Sequence, residues 1–142
     1  MQVKDLMSSG VISITPEENA SLAARLIARH NIGALPVCSS DGKLRGILTD
    51  RDIVLRCVAA DSSPEQTRVK DIMTRGVVTV SPEDDIREAS RLMASGQVRR
   101  LPVVEEGRVV GMLSLGDLAR TQQFDMEASK ALSEISSNIK KL

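Results

Sequence analysis

The sequence predicts an α+β fold made of one unit used twice, each unit running strand, helix, strand, strand, helix. Three observations carry this. Val3-Lys4-Asp5-Leu6-Met7 returns as Val69-Lys70-Asp71-Ile72-Met73, and a shift of 66 aligns residues 3–37 with 69–103, with 15 of 35 pairs identical. After a one-residue slip the match resumes, Gly46-Ile47-Leu48-Thr49 against Gly111-Met112-Leu113-Ser114. Within each copy, β-branched runs alternate with a helical apolar period and glycine turns. So short a unit rarely buries enough apolar surface alone, so the two copies are expected to share a core and leave a cleft between them.

The elements follow in order. Val11-Ile12-Ser13-Ile14 and Val77-Val78-Thr79-Val80 read as short strands. Thr15-Pro16-Glu17-Glu18 and Ser81-Pro82-Glu83-Asp84 read as helix starts, with Thr15 and Ser81 as N-caps, proline at N1 and an acid at N3. The first helix is expected to run to about His30, with Leu22, Ala23, Leu26 and Ile27 inward. The second is expected to run to about Ser95, with Ile86, Ala89, Leu92 and Met93 inward. Ala34–Cys38 and Leu101–Val104 are buried strands, turned at Asp41-Gly42 and Glu106-Gly107 into Leu44–Leu48 and Val109–Leu113. A second helix starts at Thr49 and at Ser114. The expected division is a first domain over 1–60, a linker over 61–68, a second domain over 69–120 and a helical tail over 121–142. In the tail, Ala128, Leu132, Ile135, Ile139 and Leu142 form an apolar stripe that needs a surface to pack on.

Composition narrows the function classes. Nineteen basic and nineteen acidic residues cancel, so no global field draws the chain to nucleic acid or anionic lipid. One Phe, no Trp and no Tyr argue against stacking platforms for single strands. No apolar run reaches membrane-spanning length, and Lys4 and Asp5 interrupt any signal-peptide core, so the expected location is the cytoplasm. Two cysteines make no disulfide framework and are expected to be reduced. Cys38 lies in an apolar strand and reads as a buried thiol. His30, the single histidine, falls at a helix C-terminus and has no second histidine for a typical zinc site. No nucleophile–base pair or phosphate-cradling glycine loop occurs, so an enzyme is not expected, nor a metal or resident cofactor.

Ile32-Gly33-Ala34-Leu35-Pro36-Val37 followed by Gly46-Ile47-Leu48-Thr49-Asp50-Arg51-Asp52-Ile53 resembles a cystathionine-β-synthase (CBS) domain. So does Val98-Arg99-Arg100-Leu101-Pro102-Val103 followed by Gly111-Met112-Leu113-Ser114-Leu115-Gly116-Asp117-Leu118, and the resemblance covers about residues 1–120. It implies two repeats packed around a pseudo-two-fold axis, a homodimer, and adenine-nucleotide binding in the inter-repeat clefts. It also implies regulation of an unidentified protein target rather than catalysis.

Thr49 and Asp52, and again Ser114 and Asp117, stand three apart at a helix start. Hydroxyl and carboxylate at that spacing cap a helix. A carboxylate there also accepts the two hydrogen bonds of a ribose diol, and the two roles are compatible. The resemblance implies that Ser114 and Asp117 face Val11, Ile12, Ser13 and Ile14 with Gly33 and Ala34, and that Thr49 and Asp52 face Val77, Val78, Thr79 and Val80. Arg99 and Arg100 are the phosphate candidates. The first copy carries Gly33 and Ala34 at their positions, so the Ser114 site is expected to bind nucleotide more tightly. The ligand choices are AMP, ADP, ATP or S-adenosylmethionine. The alternative is a dimeric interaction module with empty clefts. In either case a homodimer is expected, its face comprising Ile53, Val54 and Val58 with Leu118 and Ala119.

Overall fold

The computed structural model describes residues 1–121 and 125–139. Two antiparallel hairpins anchor it. β1 (Ala34–Cys38) pairs with β2 (Leu44–Thr49), and β3 (Arg100–Glu105) pairs with β4 (Arg108–Ser114). The registers correspond: Leu35 faces Leu48 and Leu101 faces Leu113, and each pair bulges after Val37 or Val103. Beyond the bulge, Cys38 pairs with Leu44 but Val104 pairs with Val109. The second connection is therefore one residue shorter, which accounts for the slip in the sequence repeat. Gly42 (φ 85°) and Gly107 (φ 79°) take the left-handed conformations that these turns require.

Helix α1 spans Ala20–His30 and α4 spans Ile86–Gly96, close to the expected C-terminal ends. Their starts differ from the expectation. Asn19 caps α1 through Oδ1, which accepts from Leu22 N at 2.8 Å, and Asp85 caps α4 by accepting from Arg87 N at 2.8 Å. Thr15–Glu18 and Ser81–Asp84 form turns before the helices instead. The reason lies in where the backbone carbonyls go. Pro16 and Glu18 O accept from Lys70 and Val69 N, while Pro82 and Asp84 O accept from Lys4 and Val3 N. Ala20 N donates to Thr67 O, and Ile86 N to Met1 O. The bonds that would extend each helix backward are thus given to segments distant in sequence.

The expected first strands are also reduced. Only Ile14 bridges Val37 and only Val80 bridges Val103, both in parallel. The expected linker over 61–68 makes contacts of its own: Ser21 N donates to Pro64 O at 3.1 Å, which ties it to the start of α1.

The chain forms two compact units that do not follow the repeat boundaries. One comprises Ile12–Val77; the other comprises Met1–Val11 together with the residues from Val78 onward. In the Ile12–Val77 unit, α3 (Val69–Ile72) and the residues after it run beside β2, with Thr74 bridging Ile47. Leu35, Val37, Leu48, Cys57, Val69 and Ile72 form its core with Ala20 and Ala23 of α1. Helix α2 (Asp50–Ile53) continues there as a π-helical turn over Val54–Val58. In the other unit a 3-10 turn over Val3–Asp5 takes the place of α3, and Ser8 bridges Met112 on β4. Ile86, Met93, Leu101, Leu113 and Leu118 of α5 (Leu115–Ala119) form that core with Val3. The opening segment of each repeat thus packs in the unit that holds the other repeat's hairpin.

The tail forms α6 (Asp125–Ile139), which packs on α4 and α5. Ala128, Ala131 and Ile135 are buried, Ser90 Oγ donates to Glu127 O at 3.2 Å, and Arg87 lies 3.9 Å from the Glu127 carboxylate. The expected stripe is corrected at one position. Leu132 is 43% exposed and Ala131 takes the buried place beside Ala128, because a small residue lets α6 approach closely. Leu142 and the side chain of Ile139 lie outside the described residues.

Candidate functional site

Both hydroxyl–carboxylate motifs close as reciprocal capping boxes. Thr49 Oγ1 accepts from Asp52 N at 3.0 Å, and Asp52 Oδ2 accepts from Thr49 N at 3.0 Å. Ser114 Oγ accepts from Asp117 N at 3.1 Å, and Asp117 Oδ2 accepts from Ser114 N at 2.8 Å. β2 and β4 deliver these residues, since each strand's last residue is the N-cap of the following helix. The box fixes each carboxylate and uses one lone pair of one oxygen. The remaining acceptor capacity is what a ribose diol needs.

The two carboxylates have different neighbours. Asp52 is 8% exposed, and Thr74 Oγ1 lies 3.4 Å from both of its oxygens. Arg56 approaches Asp52 Oδ1 at 3.8 Å while donating to Ile72 O at 3.0 Å and Met73 O at 3.2 Å. One guanidinium therefore ties the motif to the segment leading out of α3. Asp117 Oδ1 pairs instead with Arg120, whose side chain is largely exposed. Solvent screens that pair, so a ligand displaces it more readily. Neither Arg56 nor Thr74 is visible as a site residue in the sequence. Thr74 has a recoverable signal, because it directly follows the Val-Lys-Asp-Ile-Met block that marks the repeat.

The flanking candidates fall as follows. In the Ile12–Val77 unit, Ala34 pairs with Thr49, and Gly33 O accepts from Asp50 N at 3.1 Å. Gly33 and Ala34 thus border the Thr49 motif of their own repeat. Ile12 packs on the core of that unit and Ser13 is exposed. The hydroxyl of Ser13 hydrogen-bonds the Cys38 thiol. In the other unit, Arg100 pairs with Ser114, and Arg99 O accepts from Leu115 N at 2.8 Å. Both side chains are exposed, and neither makes an ion pair among the described residues. Val78 packs on the core there, Thr79 is half-buried, and Val11 is half-buried at the end of the Met1–Val11 segment.

The expected apolar dimer face is corrected. Ile53 and Leu118 are buried within their own units, whereas Val54, Val58 and Ala119 of the expected face are exposed, with Leu55 beside the two valines on the π-helical turn. Cys38 and Cys57 are both free and buried. Burial pushes the Cys38 thiol up, opposed by the Ser13 hydrogen bond. No group of three metal-ligating side chains occurs among the described residues, and no helix among them is long and apolar enough to cross a membrane.

Known proteins share this arrangement. The model of the CBS domain matches residues 3–58 and 69–123. The CBS domain-containing protein YhcV of Bacillus subtilis (strain 168) is 42% identical over 134 residues, covering 94% of each chain. The crystal structure of Hypoxic Response Protein I with two coordinated zinc ions superposes with a TM-score of 0.78 at 37% identity, covering 84% of this chain and 98% of that one. The CBS domain pair of protein MJ0100, in complex with 5-methylthioadenosine and S-adenosyl-L-methionine, superposes with a TM-score of 0.77 at 30% identity, covering 84% and 98%. The chain, with its duplicated hairpins each ending in a capped carboxylate, therefore belongs to the CBS-domain family and carries two copies of that domain.

Proposed function

We propose that this protein is a regulatory module that binds an adenosine-containing ligand at its hydroxyl–carboxylate motifs and passes the occupied state to a protein partner. The observation that carries the reading is the duplicated capping box, which fixes each carboxylate and leaves acceptor capacity for a ribose diol. The adenosine compounds held by the MJ0100 pair point to the same ligand class. AMP, ADP, ATP and S-adenosylmethionine all carry the diol and the adenine. Catalysis is not part of the reading, because the motif residues are occupied in capping and no nucleophile–base pair adjoins them among the described residues.

The Ser114 and Asp117 site is the tighter of the two in this reading. Arg99 and Arg100 adjoin it with no carboxylate partner among the described residues, and outside its capping box Asp117 pairs with the exposed Arg120. Asp52 is already engaged by Thr74 and Arg56. A charge-assisted phosphate contact contributes about 1.5–3 kcal/mol, or roughly 10–100-fold in affinity. Calorimetric titration with AMP tests this: Asp117→Ala should remove most high-affinity binding and Asp52→Ala should remove less. A larger loss from Asp52→Ala refutes the assignment.

A second reading, a dimeric interaction module, draws on one specific observation. Val54, Leu55 and Val58 are each at least half exposed on a single helical turn. Apolar clusters of this kind mark interfaces, and a second copy of the chain is the proposed occupant. Failure of the wild-type protein to bind any adenine nucleotide favours this reading over the first.

A further inference from the structure

The end of the β1–β2 hairpin remote from Thr49 holds a groove that the nucleotide reading does not use. Its volume is about 630 Å³, within the range of small-molecule pockets. Three stretches of the Ile12–Val77 unit build it. Thr15, Pro16 and Glu17 come from the turn before α1, Ser39, Ser40 and Arg45 from the hairpin, and Lys70, Met73 and Arg75 from α3 and the residues after it. Arg45 precedes Thr49 by four residues on β2, which puts the two about 13 Å apart along the strand. The groove shares no residue with either capping box.

Three cations line this groove against one carboxylate, that of Glu17. Arg45, Lys70 and Arg75 make no ion pair among the described residues. Arg75 donates to Lys70 O at 3.3 Å, and Lys70 N donates to Pro16 O at 3.0 Å, so backbone contacts hold two of the three in place. Met73 supplies a buried floor. Thr15 adds a hydroxyl able to donate to a phosphate oxygen, whereas the Ser39 hydroxyl donates to the Asp41 carboxylate.

The repeat supplies an internal control. The other unit builds the same hairpin and keeps a lysine, Lys4, where this one has Lys70, but it carries Val110 in place of Arg45, Ser9 in place of Arg75 and Glu105 in place of Ser39. The fold therefore does not require Arg45 or Arg75, and like charges brought together without partners carry a repulsive cost. We propose that this groove is an anion site for a phosphorylated small molecule. Arg45, Lys70 and Arg75 bind the phosphate, and Glu17 accepts a hydrogen bond from a hydroxyl of the same molecule. The volume favours a phosphomonoester of metabolite size over inorganic phosphate.

The test is an amide-detected NMR titration of the full chain at constant ionic strength, with glycerol 3-phosphate, inorganic phosphate and glycerol as probes. Both anions should shift the Ser39, Ser40 and Arg75 amides, the ester binding more tightly, and glycerol should leave them unmoved. Equal affinities for the two anions support the site with free phosphate as its ligand. The double variant Arg45→Val, Arg75→Ser takes residues that the other unit already carries, and it should weaken binding about tenfold. Lys70→Gln is a second variant, expected to weaken binding by a smaller factor. Asp117→Ala, in the other unit, should change nothing here, which separates this site from the nucleotide reading. No response of the wild type to either anion, or a response unchanged in the double variant, overturns the proposal.

Discussion

Gly46→Ala tests the exchange of opening segments between the repeats. A Cβ at position 46 would stand 2.7 Å from the Thr74 carbonyl oxygen and 2.8 Å from Met73 Sδ. The methionine tip can move, but the carbonyl belongs to the backbone paired with β2. Relieving the contact pushes residues 73–74 off the strand and stretches both Ile47–Thr74 hydrogen bonds, 2.9 and 2.8 Å. At about 1 kcal/mol each, with partial loss of the buried Met73 contacts, the cost is about 3 kcal/mol. The lower chain entropy of alanine in the unfolded state offsets about 0.5–1 kcal/mol of it. A net loss of about 2 kcal/mol lowers Tm by roughly 6–8 °C for a chain of this size.

Gly111→Ala is the matched comparison. Its nearest backbone atom, Ser8 O, lies at 3.0 Å and the closer contact is the flexible end of Met7, so its loss should be smaller. Gly10→Ala meets nothing within 4 Å and should leave Tm within a degree or two of wild type. Scanning calorimetry with urea titration measures all three. A Gly46→Ala Tm equal to wild type, or a Gly10→Ala loss as large, would refute the packing of residues 73–74 against β2.

Three further outcomes follow from the same geometry. Thiol titration of unfolded, non-reduced protein should return two free thiols per chain, and native Cys38 should react slowly; because burial raises its folded pKa, stability is intact below the ordinary thiol pKa and falls as pH rises above about 9. Truncation after Thr121 removes the cover that Ala128, Ala131 and Ile135 give α4 and α5, so Tm should fall by several degrees and a hydrophobic dye should bind; an unchanged Tm would contradict the docking of α6. Light scattering should report a dimer that Leu55→Lys or Val58→Lys weakens, and a concentration-independent monomer mass would remove the self-association reading.

Local rules were enough for much of this protein. The 66-residue offset, the apolar period and the glycine turns set both hairpins, the inward faces of α1 and α4, and the N-caps at Thr49 and Ser114, because each depends on residues within one or two turns of chain. The slip in the repeat located the shortened second loop. The two carboxylate motifs were legible for the same reason, since a capping box is contained in four residues.

What the sequence could not decide were bonds between residues far apart in the chain. Thr15 and Ser81 have the composition of N-caps, yet Asn19 and Asp85 perform that role, because distant amides of Val69, Lys70, Val3 and Lys4 claim the carbonyls beside them. The assignment of Thr74 and Arg56 to Asp52, and of Arg45, Lys70 and Arg75 to one groove, also waited on the fold. The repeat showed that two copies exist. Only the tertiary structure showed that their opening segments change places, because a backbone donor near either hairpin has the same chemistry, and only three-dimensional packing selects which strand it meets.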